Sequence, residues 1–259
     1  MTTKTRALLV TAALLLSSSP AAAQLGTTEH LDYASPRWFY VEFKLGPYSP
    51  DVDAEFPDGS EGPFERIFGS GTAVRLMGEV DVEVWKGFGT VCAGVAAGWY
   101  SVSAGAFLDN SAGGGLSTST ERSSSETSLT LVPVSLLAIY RFDWAANEHH
   151  VPLVPYVKFG LNYTFWWSEV DGNTSEYTDA EGNTSKASGG TFGLQFNAGA
   201  AFRLDVLEPG AAKTLDVELG INHTYLFVEL VTIFASGFGK DTALNVGDTT
   251  FQGGLAFEF

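Results

Sequence analysis

Strict alternation of apolar and polar residues recurs along the chain, and each alternating stretch predicts a β-strand with two different faces. In the first stretch, Phe43 and Leu45 share one face while Glu42 and Lys44 share the other. Eight stretches show this pattern, at residues 37–46, 74–84, 88–102, 129–142, 157–167, 192–205, 215–227 and 250–259. Most are close to the roughly 9–11 residues with which a tilted strand crosses a membrane. The pattern predicts an all-β fold of eight strands.

The fourth strand requires a choice of face, whereas the seventh alternates clearly. The fourth is apolar on both sides, and its outward set is taken as Val132, Val134, Leu136, Ala138 and Tyr140. The outward set of the seventh is Leu215, Val217, Leu219, Ile221, Tyr225 and Phe227. Its opposite face then carries Asp216, Glu218, Asn222 and Thr224.

The links between strands alternate in length. The first, third, fifth and seventh are long and span residues 47–71, 104–126, 169–189 and 231–245. The other three are short turns, around Lys86, around Asn147 and at residues 208–212. This alternation is typical of a closed antiparallel up-and-down β-barrel whose two ends face different compartments. An even strand count places both termini at the short-turn end, which we expect to be periplasmic.

Alternation alone leaves open which face meets water. A soluble antiparallel barrel points its apolar face inward, whereas a transmembrane barrel has an apolar outer band and a polar interior. Aromatic residues gather near the predicted strand ends, where a bilayer interface places them; they are Trp38, Tyr48, Trp99, Tyr100, Trp144, Tyr156, Trp166 and Trp167. We therefore expect a transmembrane barrel, with a soluble barrel as the alternative.

The polar face of such a barrel carries charges into a narrow lumen. Eight strands leave an interior just wide enough for side chains to fill, and buried charges are costly unless they are paired. We expect an ion-pair network in the lumen, and no wide water channel. Its expected members are Glu42, Lys44, Arg75, Glu79, Lys158 and Arg203.

The N-terminal residues predict export. Lys4 and Arg6 precede an apolar run, and the small residues up to Ala23 complete the pattern of a secretory signal peptide. Cleavage after Ala23 divides the chain into a signal peptide at residues 1–23 and one barrel domain at residues 24–259. The net charge of -16 argues against nucleic acid as a partner. With Cys92 as its single cysteine, the chain forms no disulfide framework.

The last predicted strand has large apolar side chains at alternate positions and ends on an aromatic residue. These residues are Phe251, Leu255, Phe257 and Phe259. On this pattern the chain resembles the small eight-stranded outer-membrane barrels of the OmpA/OmpX type, among them uncharacterised myxobacterial barrels. The resemblance implies a place in the Gram-negative cell outer membrane, in contact with its lipid and lipopolysaccharide. It also implies that the four residues are the assembly signal read by the barrel-assembly machinery during insertion.

Catalytic chemistry has little support in the sequence. A lipid-modifying barrel enzyme needs a serine nucleophile with a histidine base, and only His223 of the four histidines lies within a predicted strand. Ser101 and Ser103, near an outer strand end, are the serines worth testing. We expect no catalytic residues and no enzyme activity, although a lipid-modifying enzyme stays an alternative.

Metal binding has equally little support. His149 and His150 are adjacent, so in an extended chain their side chains point in opposite directions. The acidic first and third loops offer carboxylates of the kind that bind Ca²⁺, yet neither follows the EF-hand pattern. We expect no metal and no cofactor.

These observations favour one function over two others. The first is a non-enzymatic outer-membrane barrel with a filled lumen, which serves envelope integrity or surface interaction through four long extracellular loops. A narrow porin-like channel for ions or small solutes is the alternative, and a lipid-modifying enzyme is the second alternative. The surface ligand is unknown at this level, because no motif in the loops names one.

Overall fold

The computed structural model describes residues 36–56, 62–107, 121–178, 184–238 and 243–259. The predicted signal peptide at residues 1–23 lies outside these ranges, as does His30. Among the described residues, no helix is both long enough and apolar enough to cross a bilayer.

Eight long strands form the body of the protein. They are β1 (Phe39–Tyr48), β2 (Ala73–Gly87), β3 (Gly89–Phe107), β4 (Arg122–Arg141), β5 (Leu153–Val170), β6 (Ser188–Arg203), β7 (His223–Phe234) and β8 (Asp248–Glu258). Each strand pairs antiparallel with its neighbour in the chain, and β1 pairs with β8 to close the sheet. The predicted closed up-and-down barrel of eight strands is confirmed. Closure leaves no strand of the barrel with an unpaired edge, which is what a lipid environment demands.

The two ends of the barrel carry different connections. We call the end that holds Phe39 and Glu258 the terminal end, and the opposite end the loop end. At the loop end, a 3₁₀ turn (Val52–Glu55) and helix α1 (Pro63–Phe68) connect β1 to β2. Three short strands, Asn173–Thr174, Glu176–Thr178 and Thr184–Lys186, lie between β5 and β6, and the last two form a hairpin. At the terminal end, helix α2 (Trp144–His149) connects β4 to β5.

The outer face of the strands is apolar and the inner face is polar over much of the barrel. On β1, Phe43 is 61% exposed and Leu45 is 57% exposed, whereas Glu42 and Lys44 are buried. The outward set chosen for the fourth strand is also confirmed, because Leu136 is exposed while its neighbour Leu137 is buried in the lumen.

The seventh strand differs from its prediction. Residues 209–219 form helix α3 (Pro209–Leu219), and β7 begins only at His223. Pro209 occupies the first turn of α3, where its missing N–H costs nothing. Gly220 follows the last helical residue with φ +71°, a left-handed conformation that favours glycine and ends the helix. The alternation of Leu215, Val217 and Leu219 was therefore a false strand signal, and the expected short turn at residues 208–212 is part of a helical connection.

The faces of β7 are also opposite to the prediction. Tyr225 and Phe227 point into the lumen and are buried, while Leu226 and Val228 are exposed on the outer face. Phe227 pairs with Gly254 of β8, which has no side chain, and with Ala201 of β6, which has only a methyl group, so both partners leave room for its ring. A shift of one residue reverses every side chain of a strand, so the predicted faces of β7 were wrong and the partners across the ladder decided them.

The corrected register of β7 can be tested by comparing Phe227→Ala with Leu226→Ala. Phe227 is packed in the lumen, so its truncation should lower the free energy of unfolding by about 3–5 kcal/mol. Leu226 faces outward, and its truncation leaves no internal cavity, so its effect should be distinctly smaller. Urea titration of the barrel in lipid vesicles, followed by tryptophan fluorescence, measures both. An equal or larger loss for Leu226→Ala would contradict the register.

Candidate functional site

A group of seven charged side chains meets at the centre of the lumen. Its members are Glu42 and Lys44 of β1, Glu79 and Asp81 of β2, Arg141 of β4, Lys158 of β5 and Glu229 of β7. We call this group the central charge cluster. Each member exposes 3% or less of its surface, because each occupies an inward position on its strand. Five strands thus contribute charge to one buried point.

The two lysines bridge the three glutamates. Lys44 Nζ lies 2.7 Å from Glu79 Oε2, 3.0 Å from Glu229 Oε1 and 3.4 Å from Glu42 Oε2. Lys158 Nζ lies 2.6 Å from Glu42 Oε2 and also contacts Glu79 Oε1. Each ammonium group therefore serves at least two carboxylates, and the attraction offsets the cost of taking these charges out of water.

Arg141 joins the cluster from the side of the terminal end. Its Nη2 donates to Asp81 Oδ2 at 2.8 Å and also to Glu42 Oε1. The guanidinium group lies over the rings of Tyr40 and Tyr156, 4.2 Å and 5.4 Å from their centroids. Stacking on aromatic faces suits arginine, whose planar cation is weakly hydrated. Arg141 consequently links the charges to a layer of aromatic residues.

This aromatic layer closes the lumen at the terminal end. The Tyr225 hydroxyl donates to Glu258 Oε2 at 2.5 Å, and Tyr156 donates to Glu229 Oε2 at 3.2 Å. Both rings are buried. Tyrosine provides apolar bulk together with a polar tip that needs a partner when it is buried, and both conditions are met here.

An apolar layer fills the lumen at the loop end. It consists of Tyr48, Phe64, Tyr100, Leu129, Leu131, Val231, Ile233, Ala235 and Val246. The Tyr48 hydroxyl donates to the Val246 carbonyl oxygen at 2.6 Å, which ties β1 to the link between β7 and β8. Below this layer the lumen is charged, and within it buried apolar side chains pack against one another.

Helix α1 covers this apolar layer and is held at both ends. Asp53 accepts hydrogen bonds from the backbone N–H groups of Phe64 and Glu65 at 3.0 Å and 2.7 Å, at the helix N-terminus. At the other end, Arg122 Nη1 donates to the Ile67 carbonyl oxygen at 2.7 Å. These bonds satisfy backbone groups that a helix leaves free at its ends, and they fix the Phe64 ring in the apolar layer.

Only some of the residues expected in the lumen ion-pair network meet in the structure. The structure brings Glu42, Lys44, Glu79 and Lys158 together, but it places Arg75 and Arg203 elsewhere. Arg75 is buried nearer the loop end, with its guanidinium 4.3 Å from the centroid of the Tyr48 ring. Arg203 lies at the terminal end and donates to Asn147 and to the Tyr225 hydroxyl. Alternation predicts that a side chain faces the lumen, but it does not predict the depth of that side chain along the barrel axis. These two arginines lie at depths that separate them from the cluster.

Three members of the cluster were absent from the expected set. Asp81 and Arg141 lie on faces that the alternation assigns inward, so the sequence did hold the signal for them. Glu229 was missed because the predicted seventh strand ended before it, at residue 227. The position of β7 therefore had to be known before its charge could be placed.

The carboxylates of the cluster also satisfy the spacing of a metal site. Glu42, Glu79 and Asp81 each offer an oxygen within 4.8 Å of the other two. The same carboxylates accept hydrogen bonds from Lys158 and Arg141, so their charge is met by cations of the chain itself. The arrangement is that of an internal ion-pair network, since the cationic groups occupy the space between the oxygens.

The serine and histidine candidates for catalysis are far apart. Ser103, near the loop end of β3, donates to Glu126 at 2.5 Å, and Ser101 shares a hydrogen bond of 3.1 Å with Thr130. His223 is the first residue of β7 at the terminal end, where its Nδ1 contacts Asp205 Oδ2. His149 belongs to α2, and its ring lies 4.7 Å from that of Trp144. Cys92 is buried in the lumen.

The residues proposed as the assembly signal lie on β8 and at its end. Phe251 and Leu255 are exposed on the outer face, and Phe257 is partly buried on the same face. The Phe259 ring stacks on Phe39 with centroids 4.7 Å apart, and its backbone N–H donates to the Phe39 carbonyl oxygen at 2.9 Å. The C-terminal aromatic thus also fastens the seam between β8 and β1. Recognition of these residues by the barrel-assembly machinery stays a prediction.

A cavity of about 580 Å³ opens at the loop end, between the links that follow β1 and β7. Its lining mixes polar and apolar groups and includes Ser49, Asp51, Asn245 and Asp248. Asp248 accepts a hydrogen bond of 3.2 Å from the Ser49 backbone N–H, which joins the two links. The cavity is separate from the central charge cluster, because the apolar layer lies at the depth between them.

Comparison with known proteins identifies one family and a set of structural relatives. The family model of the outer membrane protein beta-barrel domain matches residues 9–259. No curated protein matches the sequence.

Three solved structures are similar to the chain at low sequence identity. OprG from Pseudomonas aeruginosa is 12% identical with a TM-score of 0.46, and the match covers 87% of this chain and 97% of that one. Neisserial surface protein A is 13% identical with a TM-score of 0.40, over 86% and 97% of the two chains. Ail of Yersinia pestis is 10% identical with a TM-score of 0.36, also over 86% and 97%.

The energetic role of the central charge cluster can be tested with Lys158→Met. The change leaves Glu42 and Glu79 buried with one cation fewer, so the free energy of unfolding should fall by about 3–5 kcal/mol. The control is Lys186→Met in the exposed hairpin, which should change stability by less than about 0.5 kcal/mol. Urea titration in vesicles measures both. Equal stabilities for the two variants would show that the cluster does not depend on its lysines.

The assembly role of the C-terminal aromatic can be tested with Phe259→Ser. We expect less folded barrel in outer-membrane fractions of expressing cells, while the purified variant still refolds in detergent micelles. The control is Phe234→Ser at the loop end of β7, where the ring is exposed on the outer face. Heat-dependent mobility on gels reports the folded fraction. A Phe259→Ser variant that reaches wild-type levels in cells would contradict the assembly role, as would equal losses in both variants.

Proposed function

The chain belongs to the family of outer membrane protein β-barrel domains, and from this premise we propose that it is a closed-lumen barrel that acts through its outer surface. Its role is to support the integrity of the envelope and to interact at the cell surface. It does not conduct solutes in this proposal, and it carries out no chemistry on lipids.

The observation that carries the proposal is the filling of the lumen at three depths. The aromatic layer closes the terminal end, the central charge cluster occupies the middle, and the apolar layer under α1 closes the loop end. Charges held in this way cannot move aside without breaking several ion pairs at once. A solute would have to disrupt all three layers in turn, which supports a structural role over transport.

The loop end supplies the surface for interaction. Its described part carries several acidic residues of the first and third loops, the hairpin between β5 and β6, and the cavity lined by Asp51 and Asp248. Lipopolysaccharide is the expected neighbour of this surface in the outer membrane. Acidic loops beside anionic lipid favour contacts bridged by divalent cations, since carboxylates are suitable ligands for Ca²⁺.

A narrow channel is the second candidate, and one observation favours it. Several buried polar atoms of the lumen have no hydrogen-bond partner within the described protein, among them atoms of Arg75, Tyr100, Asn197 and Gln252. Buried polar groups of this kind are normally satisfied by water, and a row of waters is the start of a conducting path. The apolar layer, however, stands between the central charge cluster and the loop end.

The lipid-modifying enzyme has less support than either barrel function. Ser101 and Ser103 lie towards the loop end, whereas His223 lies at the terminal end. A serine and its base must come within about 2.6–3.2 Å of each other, and the length of the barrel separates these groups.

The closed-lumen proposal is tested by electrical recording from planar lipid bilayers that contain the purified wild-type protein. We expect no steady conductance steps above the leak of the bare bilayer, because the three layers block ions. A general porin reconstituted in the same bilayers serves as the positive control. Reproducible steps of uniform size from this protein would overturn the proposal and favour the narrow channel.

A further inference from the structure

The cavity at the loop end has the size of a binding site for a small organic molecule. Its volume is about 580 Å³, and ligand pockets in proteins span roughly 300–1,000 Å³. The residues around it belong to the links that follow β1 and β7 and to the adjoining ends of β7 and β8. A single metal ion would fill only a small part of this space.

Hydrogen bonds between the two links hold the walls of the cavity in place. The backbone N–H of Asp51 donates to the Gly247 carbonyl oxygen at 3.0 Å, and the backbone N–H of Ser49 donates to Asp248 Oδ2 at 3.2 Å. The Gly247 N–H in turn donates to Asn245 Oδ1 at 3.1 Å. Because these walls are already joined to each other, a ligand does not have to order them, and binding loses less conformational entropy.

Two carboxylates give the cavity its charge. Asp51 belongs to the link after β1, and Asp248 is the first residue of β8. Among the described residues, neither forms an ion pair with a lysine, arginine or histidine, although Arg75 attracts Asp248 from within the barrel. The net charge of the whole chain is -16, which also draws cations towards its surface. The cavity therefore favours a positively charged ligand.

The lining favours an organic cation over a metal ion. Ca²⁺ takes about six to eight oxygen ligands at close range, whereas this cavity offers two carboxylates. Within the described part of the chain, the group of three acidic side chains with metal-ligand spacing lies in the lumen. The rest of the cavity lining includes the hydroxyl-bearing residues Ser236 and Thr249 and the apolar residues Ile233 and Phe234. Such a lining suits a molecule that has both charged groups and a hydrocarbon stem.

We propose that this cavity binds a small aliphatic amine from the medium at the loop end. Its ammonium groups pair with Asp51 and Asp248, and its stem lies against Ile233 and Phe234. Hydrogen bonds between ammonium and carboxylate groups are about twice as strong as those between neutral groups, so the two carboxylates select the amine. The inference rests on the proposed surface role of the loop end and gives that role a class of ligand.

The test is isothermal titration calorimetry of the purified barrel in detergent micelles with pentanediamine. Wild type should show a single saturable site. Asp51→Asn keeps the shape of the side chain and removes its charge, so the dissociation constant should rise about tenfold or more. The matched control is Glu176→Gln, which removes an exposed carboxylate from the hairpin outside the cavity and should bind the diamine as wild type does.

A second measurement uses wild-type protein labelled at its isoleucine methyl groups, so it does not depend on a variant. Ile233 lines the cavity, whereas Ile139 is buried in the lumen and Ile221 precedes β7 at the terminal end. In NMR spectra, pentanediamine should shift the methyl resonances of Ile233 and leave those of Ile139 and Ile221 in place. Pentanediol, which has the same length and no charge, should shift none of them.

Four results would overturn the inference. They are no saturable binding of pentanediamine, an equal loss of affinity in Asp51→Asn and Glu176→Gln, binding of pentanediol as tight as that of the diamine, and displacement of the diamine by an equimolar amount of Ca²⁺. Bilayer recording separates this failure from that of the closed lumen. Conductance steps together with amine binding would overturn only the closed lumen, and a silent bilayer without amine binding would overturn only the amine site.

Discussion

The pairing of buried charges at the centre of the lumen is the interaction on which the rest of the structure depends. A closed barrel of eight strands has an interior that side chains must fill, and in this chain many of them are charged. Lys44 and Lys158 each pair with more than one carboxylate. Arg141 donates to Asp81 and lies over the Tyr40 ring, so it joins the charges to the aromatic layer. Because five strands contribute to the cluster, it fixes their relative depth as well as their charge balance.

The two layers on either side of the cluster are related to the free-energy cost of burying its charges. Charges that are removed from water are stable only if opposite charges and hydrogen bonds from the protein replace the lost water. The tyrosines at the terminal end combine apolar bulk with hydroxyls that donate to Glu229 and Glu258. The apolar layer at the loop end uses Phe64 of α1, which Asp53 and Arg122 hold in place. In the proposed function, the same filling that surrounds the cluster also closes the barrel to transport.

The outer face obeys the opposite rule, because its solvent is lipid. Outward side chains there are apolar, and their packing is with lipid tails and not with a protein core. Variation in side-chain size, as between Leu45 and Gly253, therefore produces relief on the surface and no internal void. The lumen and the outer face thus follow separate packing rules, the first set by buried charge pairs and the second by contact with lipid.

The sequence by itself determined the fold class, the strand count and the faces of most strands, because a period of two is imposed by each strand on its own. It also indicated Glu42, Lys44, Glu79 and Lys158 as lumen charges. Only the tertiary structure decided that residues 209–219 form α3, that Phe227 points inward, and that Glu229 joins the cluster while Arg75 and Arg203 do not. These outcomes depend on which residues meet across the ladders and at what depth, and alternation along a single strand contains neither quantity.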